Sequence, residues 1–218
     1  MTLEQVRDYP TVRAFIEKAD RQLGVIGYTE HGERHASLVS NISSNILKRL
    51  GRPERVSELA CIAGYLHDIG NVINRDFHAQ SGAIIAADVL REMGMDVDEV
   101  AEVIAAIGNH HEEQGEPVSD ISAAIILADK SDVHRSRVRS TGMIQLDIHD
   151  RVNYAATNSF LRVVEKKKLI SLEVTIDTSI SQVMEYFEIF LSRMIASRKA
   201  ASFLSCLFEL IINGNKML

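Results

Sequence analysis

Tryptophan is absent from this chain, and only three prolines and two cysteines occur in 218 residues. So few prolines leave long helices uninterrupted. Two cysteines, Cys61 and Cys206, are too few for a disulfide framework or a thiolate metal site. Both lie among apolar residues and read as buried free thiols of a reducing cytoplasm. No apolar run approaches the roughly 18 residues that a membrane-spanning helix needs. The start, MTLEQVRDYPTVRAF, lacks a basic segment followed by an apolar one, so no signal peptide is expected. Basic charge is also scarce. The net charge of −6 argues against a dedicated nucleic-acid binder, though not against a local basic pocket for a small phosphate ester.

What the chain does have is 46% apolar residues, enough for a sizeable core. Up to about residue 140 they recur at helical spacing. Val12, Phe15, Ile16, Ala19 and Leu23 form one stripe, and Leu38, Ile42, Ile46 and Leu50 a second, ended by Gly51. Pro53 and Gly70 bracket a third, with Val56, Leu59, Ala63 and Leu66 inward. Ile84, Ile85, Val89 and Met93 predict a fourth, and Val100, Val103, Ile104 and Ile107 a fifth. A sixth starts after Asp120 as N-cap, with Ile121, Ala124, Ile125 and Ala128 on one face. The period then changes. LISLEVTID at 169–177 alternates like a half-buried strand, and SFLRVVE at 159–165 reads as its partner across Lys166–Lys168. A long helix follows, capped by Ser179 and Gln182, with Val183, Met184, Phe187, Phe190, Leu191 and Met194 inward. A last short helix is expected near 202–213. The fold class is therefore mostly α, divided into a helical body, 1–140, and a C-terminal hairpin-plus-helix part, 141–218. A homodimer through that second part and a monomer both remain open.

Seven chemistry-bearing residues sit at the edges of these apolar segments: His35, His67, Asp68, His78, His110, His111 and Asp129. Imidazoles and carboxylates are costly to bury unless something compensates them, and a cation is the simplest compensation. With nitrogen and oxygen donors only, the set favours iron, manganese, cobalt, nickel, zinc or magnesium over a structural zinc site. Five imidazoles and two carboxylates exceed the need of one ion, so two divalent ions sharing Asp68 are expected. KSDVHRSRVR at 130–139 sets Lys130, Arg135, Arg137 and Arg139 against Asp132 alone. Lys130 and Arg135 are candidates for gripping phosphate oxygens. His31, His134 and His149 read more simply as hydrogen-bonded side chains.

The ordered series H…HD…H…HH…D resembles the HD superfamily of metal-dependent phosphohydrolases over roughly residues 28–139. LHDIGN at 66–71 is similar to the signature dipeptide and its flanks. HAQSGAIIA at 78–86, IGNHHE at 107–112 and ILADKSD at 126–132 resemble two-metal members of the HD-GYP and diadenosine tetraphosphate hydrolase branches. The resemblance implies an HD-type helical bundle. It implies that His35, His67, Asp68 and Asp129 hold one ion, and that Asp68 bridges to a second held by His78 and by His110, His111 or both. His31 falls where some relatives place a ligand for an additional metal. The implied activity is hydrolysis of a phosphate ester or anhydride of a nucleotide-like substrate by a metal-bound hydroxide, with His67 and Asp68 as its catalytic core. Two departures matter. Asn71 stands where a lysine commonly follows HDIG, beside the substrate phosphate, and EQGEPVSD keeps only fragments of the GYP stretch. Cleavage of a cyclic dinucleotide is therefore not expected, and a metal-containing nucleotide sensor with weak catalysis is the alternative.

Overall fold

Serine, not leucine, lines a close helix contact at the heart of this protein. The computed structural model describes residues 1–113, 115–139, 142 and 147–217. Helix α3 (Glu33–Arg49) lies on α4 (Glu54–Leu66). Its inward face is His35, Ala36, Val39, Ser40, Ser43, Ile46 and Leu47, while Leu38, Ile42 and Leu50 are only half-buried. The serine hydroxyls satisfy themselves on backbone carbonyls. Ser40 Oγ donates to Cys61 O at 2.7 Å, and Ser43 Oγ reaches Val39 O at 2.8 Å and Ala60 O at 2.9 Å. Gly64 completes the approach, since a Cβ there would lie 2.8 Å from Ser43 Oγ. A pattern count that scores serine as outward misreads such a face.

Before this pair come α1 (Leu3–Arg7) and α2 (Pro10–Val25), the latter burying Val12, Ile16, Ala19 and Leu23 as expected. After it, a 3-10 turn (Ile69–Val72) leads to α5 (His78–Glu92), α6 (Val97–Gly108) and α7 (Asp120–Lys130). Ile84 faces solvent instead of joining the α5 stripe. Helix α7 is enclosed by α3, α4, α6 and the later helix α9 (Val183–Phe203), so every residue from Ile121 to Ala128 is buried, not one face alone. Its N-cap is Ser119, whose hydroxyl accepts from Ser122 N at 3.1 Å, one residue before the expected Asp120.

Two backbones nearly touch where α5 begins. A Cβ on Gly70 would stand 2.0 Å from His78 O and 2.4 Å from Gly82 N. Gly70→Ala must push α5 off the 3-10 turn, and His78 with it. The expected cost is about 3 kcal/mol or more, read as a lower urea midpoint at unchanged slope.

The expected division at 140/141 lies outside the described residues. Beyond it come α8 (Ile148–Ala155), β1 (Ala156–Val164), β2 (Leu169–Ile176), α9 (Val183–Phe203), β3 (Leu207–Ile212) and β4 (Asn215–Lys216). β1 and β2 pair antiparallel from Ala156↔Ile176 to Val164↔Leu169, with a register shift near Ala156. The strand starts before the expected Ser159. Lys168 turns the hairpin in the left-handed region. The last helix expected at 202–213 is not formed. Instead α9 ends at Phe203, Ser205 turns the chain at positive φ, and β3 runs parallel to β2. Leu210 and Ile212 are buried on either side of half-exposed Ile211, the alternation of a strand. The sheet order is β1-β2-β3-β4. Gln182, with Glu185, caps α9, whereas Ser179 bonds Asp177. Tyr186, Phe190, Met194 and Ala200 face inward from α9, while Met184 and Leu191 are exposed. Cys61 and Cys206 are free thiols, the first half-buried and the second buried. No helix of the described residues is long and apolar enough to cross a membrane.

Candidate metal centre

Helix ends deliver the side chains that converge. His35 lies in the first turn of α3, His67 caps the C-terminus of α4, and Asp68 opens the 3-10 turn. His78 is the first residue of α5, and His110 follows the C-cap of α6. Asp129 lies in the last turn of α7. Helix ends suit this task, because the turning chain aims side chains into the gap between helices.

Four imidazoles present the same atom inward. His67 Nδ1 donates to Gly64 O at 2.8 Å, His78 Nδ1 to Arg75 O at 2.8 Å, and His110 Nδ1 to Ile107 O at 2.7 Å. His35 Nδ1 donates to Asp132 Oδ2 at 2.7 Å. Each bond fixes the tautomer and leaves the Nε2 lone pair for a ligand. The Nε2 atoms fall into two pairs, His35 with His67 at 3.2 Å and His78 with His110 at 3.2 Å. Two nitrogens about 2.1 Å from one ion stand roughly 3.0 Å apart in an octahedron and 3.4 Å in a tetrahedron. Each pair therefore has the spacing of two ligands to one cation.

Asp68 stands between the pairs. Its Oδ2 is 3.4 Å from His67 Nε2 and 3.7 Å from His35 Nε2. Its Oδ1 is 3.3 Å from His78 Nε2 and 3.8 Å from His110 Nε2. Asp129 Oδ1 is 3.4 Å from His35 Nε2 and 3.8 Å from His67 Nε2. The ligand atoms of His35, His67 and Asp129, and those of His67, Asp68 and His110, lie within 4.8 Å of one another.

The charge states suit ligation. Burial, with cationic neighbours, lowers His110 well below the ordinary histidine value, and burial pushes His78 down to about 4. His35 moves the other way. Burial and Arg137 lower it, but hydrogen bonds to Asp129 and Asp132 outweigh them and raise it. Burial works against ionised Asp68 and Asp129. His67 nevertheless holds Asp68 well below the carboxylate range, and Lys130 does the same for Asp129. Two anionic carboxylates beside four inward-facing imidazole nitrogens offer a site for divalent cations.

The other candidates fall outside this convergence. His111 diverges from His110 because the chain turns just beyond α6; its ring is 6.4 Å from that of His110 and 5.0 Å from that of His78. Its Nδ1 is buried without a hydrogen-bond partner. His31 is buried, with Nδ1 on Thr29 O at 2.6 Å and its ring against His35. His134 caps the 3-10 turn Arg135–Arg137, and exposed His149 sits beside Asp147. The basic cluster does not assemble as a phosphate site. Lys130 is buried between Glu112 Oε2 at 2.5 Å and Asp129 Oδ2 at 2.6 Å, so its ammonium fixes the Asp129 carboxylate instead of facing outward. Arg135 covers the Tyr154 ring. Arg137 is buried on Glu30 O and Asp132 O, and Arg139 binds Asp20. Asn71 is also buried, its amide donating to Asp68 O at 3.0 Å, which braces the HD turn.

Sequence reading missed Asp132, Glu112 and Arg75. Asp132 is 2% exposed and joins His35, Arg34 Nη2 at 2.8 Å and Arg137 Nε at 3.7 Å. Its signal was present in the basic segment, as a lone acid three residues after Asp129. A cleft of about 680 Å³ opens beside the centre. His31, His78 and His111 line it, as do Tyr28, Arg75 and Phe77 of the loops ahead of α3 and α5 and Asn153, Phe190 and Arg193 of α8 and α9. The C-terminal part thus builds a wall of the cleft.

Comparison with known proteins adds the lineage. Residues 32–135 match the HD domain family model. An uncharacterized protein of Methanocaldococcus jannaschii, MJ1020, is 30% identical over 139 residues, 54% of this chain and 53% of that protein. Ribonuclease Y of Lawsonia intracellularis is 32% identical over 102 residues, 47% of this chain and 18% of the enzyme. Ribonuclease Y of Opitutus terrae is 33% identical over 114 residues, 52% of this chain and 19% of the enzyme. The chain therefore spans about half the length of one relative and under a fifth of the others. The crystal structure of a predicted HD superfamily hydrolase from an uncultured Thermotogales bacterium covers 67% of this chain and 80% of its own, at 25% identity. Its TM-score of 0.47 gives that likeness no weight by itself. The whole converging set lies inside the span, residues 32–135, that matches the HD domain family model.

Proposed function

We propose that this protein is a two-metal phosphohydrolase acting on a phosphate ester or anhydride of a nucleotide-like substrate. One observation carries the reading: the two oxygens of Asp68 face separate histidine pairs, His35 with His67 and His78 with His110. His35, His67 and Asp129 would hold one divalent ion, His78 and His110 the other, and Asp68 would join both. Bound there, such ions supply an acidified water and polarise phosphoryl oxygens.

The side chains do the positioning. Lys130, gripped by Glu112, holds Asp129 ionised and aimed at His35. Asp132 keeps His35 in one tautomer. His111 lies on the cleft wall outside the converging set and beside His78, so it is an imidazole free to exchange a proton at the leaving oxygen. Half-exposed Tyr28 and exposed Phe77 stand at the cleft rim, where a planar base can stack. Phe77 is held at positive φ, a conformation that bulky residues rarely adopt outside functional sites. The cleft volume lies within the range of small-ligand sites.

The test is a substrate panel on metal-loaded protein: an aryl phosphodiester, nucleoside mono- and diphosphates, and a short oligoribonucleotide, the last because ribonuclease Y is a relative. Turnover of one class, abolished by chelation and restored by metal, is the expected result. A protein that holds its ions and cleaves none of them would instead be a sensor.

A further inference from the structure

We infer that Arg75, ahead of α5, and Arg193, on α9, both lining the cleft, grip the anionic group of the substrate. This rests on the phosphohydrolase reading above. An anion in this cleft needs a cationic partner beyond bound ions, and the basic segment after Asp129 does not supply one: Lys130 and Arg137 are buried, Arg139 is paired, and Arg135 does not line the cleft. Asn71 cannot supply one either. The wall also carries Glu113, Asp147 and Asp150, which repel an anion. Arg75 and Arg193 are the arginines among its lining residues.

Arg75 is held unlike the protein's paired arginines. Its guanidinium lies 5.5 Å over the Tyr28 ring. Its Nη1 is 3.4 Å from Asn71 Oδ1, 3.5 Å from His78 Nε2 and 3.9 Å from Asp68 Oδ1. These contacts are long and weak, so the donors are oriented without being satisfied. In contrast, Arg34 meets Asp132 at 2.8 Å and Arg151 meets Glu185 at 2.6 Å. The side-chain oxygen of Asn71 faces Arg75. Arg75 thus places a positive charge beside His78 and Asp68. A guanidinium stacked on an aromatic face presents a planar fork, which suits two phosphoryl oxygens better than an ammonium does.

Arg193 mirrors this arrangement from α9. It lies 4.5 Å over the Phe190 ring, and its Nε is 3.6 Å from Glu112 Oε1, a carboxylate whose other oxygen is taken by Lys130. Each arginine is thus stacked on an aromatic ring and only loosely paired. The C-terminal part, on this view, contributes directly to recognition.

Calorimetric titration of inorganic phosphate onto the metal-loaded full chain tests this, with metal content measured for every variant. Arg75→Gln and Arg193→Gln should each weaken phosphate binding about tenfold while keeping the ions, and Arg75→Lys should recover part of the loss. Affinities within twofold of the unaltered protein would overturn the assignment, as would a loss that tracks lost metal. If the unaltered protein binds neither metal nor phosphate, the phosphohydrolase reading falls too. If it binds both and the glutamine variants match it, the arginine assignment alone falls.

Discussion

Asp68→Ala should empty both halves of the centre at once. Among the described residues no other carboxylate faces both histidine pairs: of the four converging imidazoles, Asp129 approaches only those of His35 and His67. Without Asp68, the two imidazoles of His78 and His110 keep no carboxylate in the converging set, and two neutral nitrogens bind a divalent ion weakly. The remaining trio of His35, His67 and Asp129 loses one of its two anionic donors. Metal content should fall to a small fraction of one ion per chain, and turnover of any cleaved phosphoester by on the order of a thousandfold or more. The fold should survive, because the four rings keep their Nδ1 bonds to Asp132, Gly64, Arg75 and Ile107. Element analysis with circular dichroism separates this outcome from unfolding. A folded variant that retains its metal would remove Asp68 from the centre.

Asp132→Ala should damage stability and metal affinity together. The carboxylate is 2% exposed and faces Arg34, Arg137 and His35. Removing it leaves the buried Arg137 guanidinium without its facing carboxylate, a cost of about 3–5 kcal/mol for breaking a buried ion pair. It also frees the His35 ring, and losing such a support lowers metal affinity about 10–100-fold. Asp132→Asn separates the two effects. The amide oxygen can still accept from His35 Nδ1, so metal affinity should be largely kept while most of the stability loss remains. Acid should reproduce that loss in the unaltered protein. Burial raises the Asp132 pKa, but Arg137, His35 and Arg34 outweigh it and hold it far below the carboxylate range. A depressed folded pKa stabilises fully above the unfolded value, near pH 4, and progressively less as pH falls below it. Urea midpoints at neutral and acidic pH check the sign. If Asp132→Ala matches the unaltered protein at neutral pH, Asp132 is not a support of the centre.

The helices and the ligand order were legible because each rests on a local signal. Helical period marked α2, α6 and α7, and the edge positions of His35, His67, Asp68, His78, His110 and Asp129 followed from that period. What local signal cannot carry was missed. Ser40 and Ser43 are buried because Gly64 lies opposite, a fact about two helices and not one. Residues 207–212 form a strand because β2 offers a free edge beside them; an apolar run that short fits either period. The basic segment read as a phosphate site because charge is visible in sequence while its partners Glu112 and Asp20 are distant and Asp132 carried no assignment. For the same reason Arg75, flanked by Asn74 and Asp76, gave no sign of its place against Asp68 and His78.

Crystals grown with manganese and measured above and below its absorption edge test the central claim most directly. Two anomalous peaks should flank the Asp68 carboxylate, one between His35 and His67 and the other between His78 and His110. A single peak, or peaks that avoid Asp68, would contradict the shared two-ion centre on which the proposed chemistry depends.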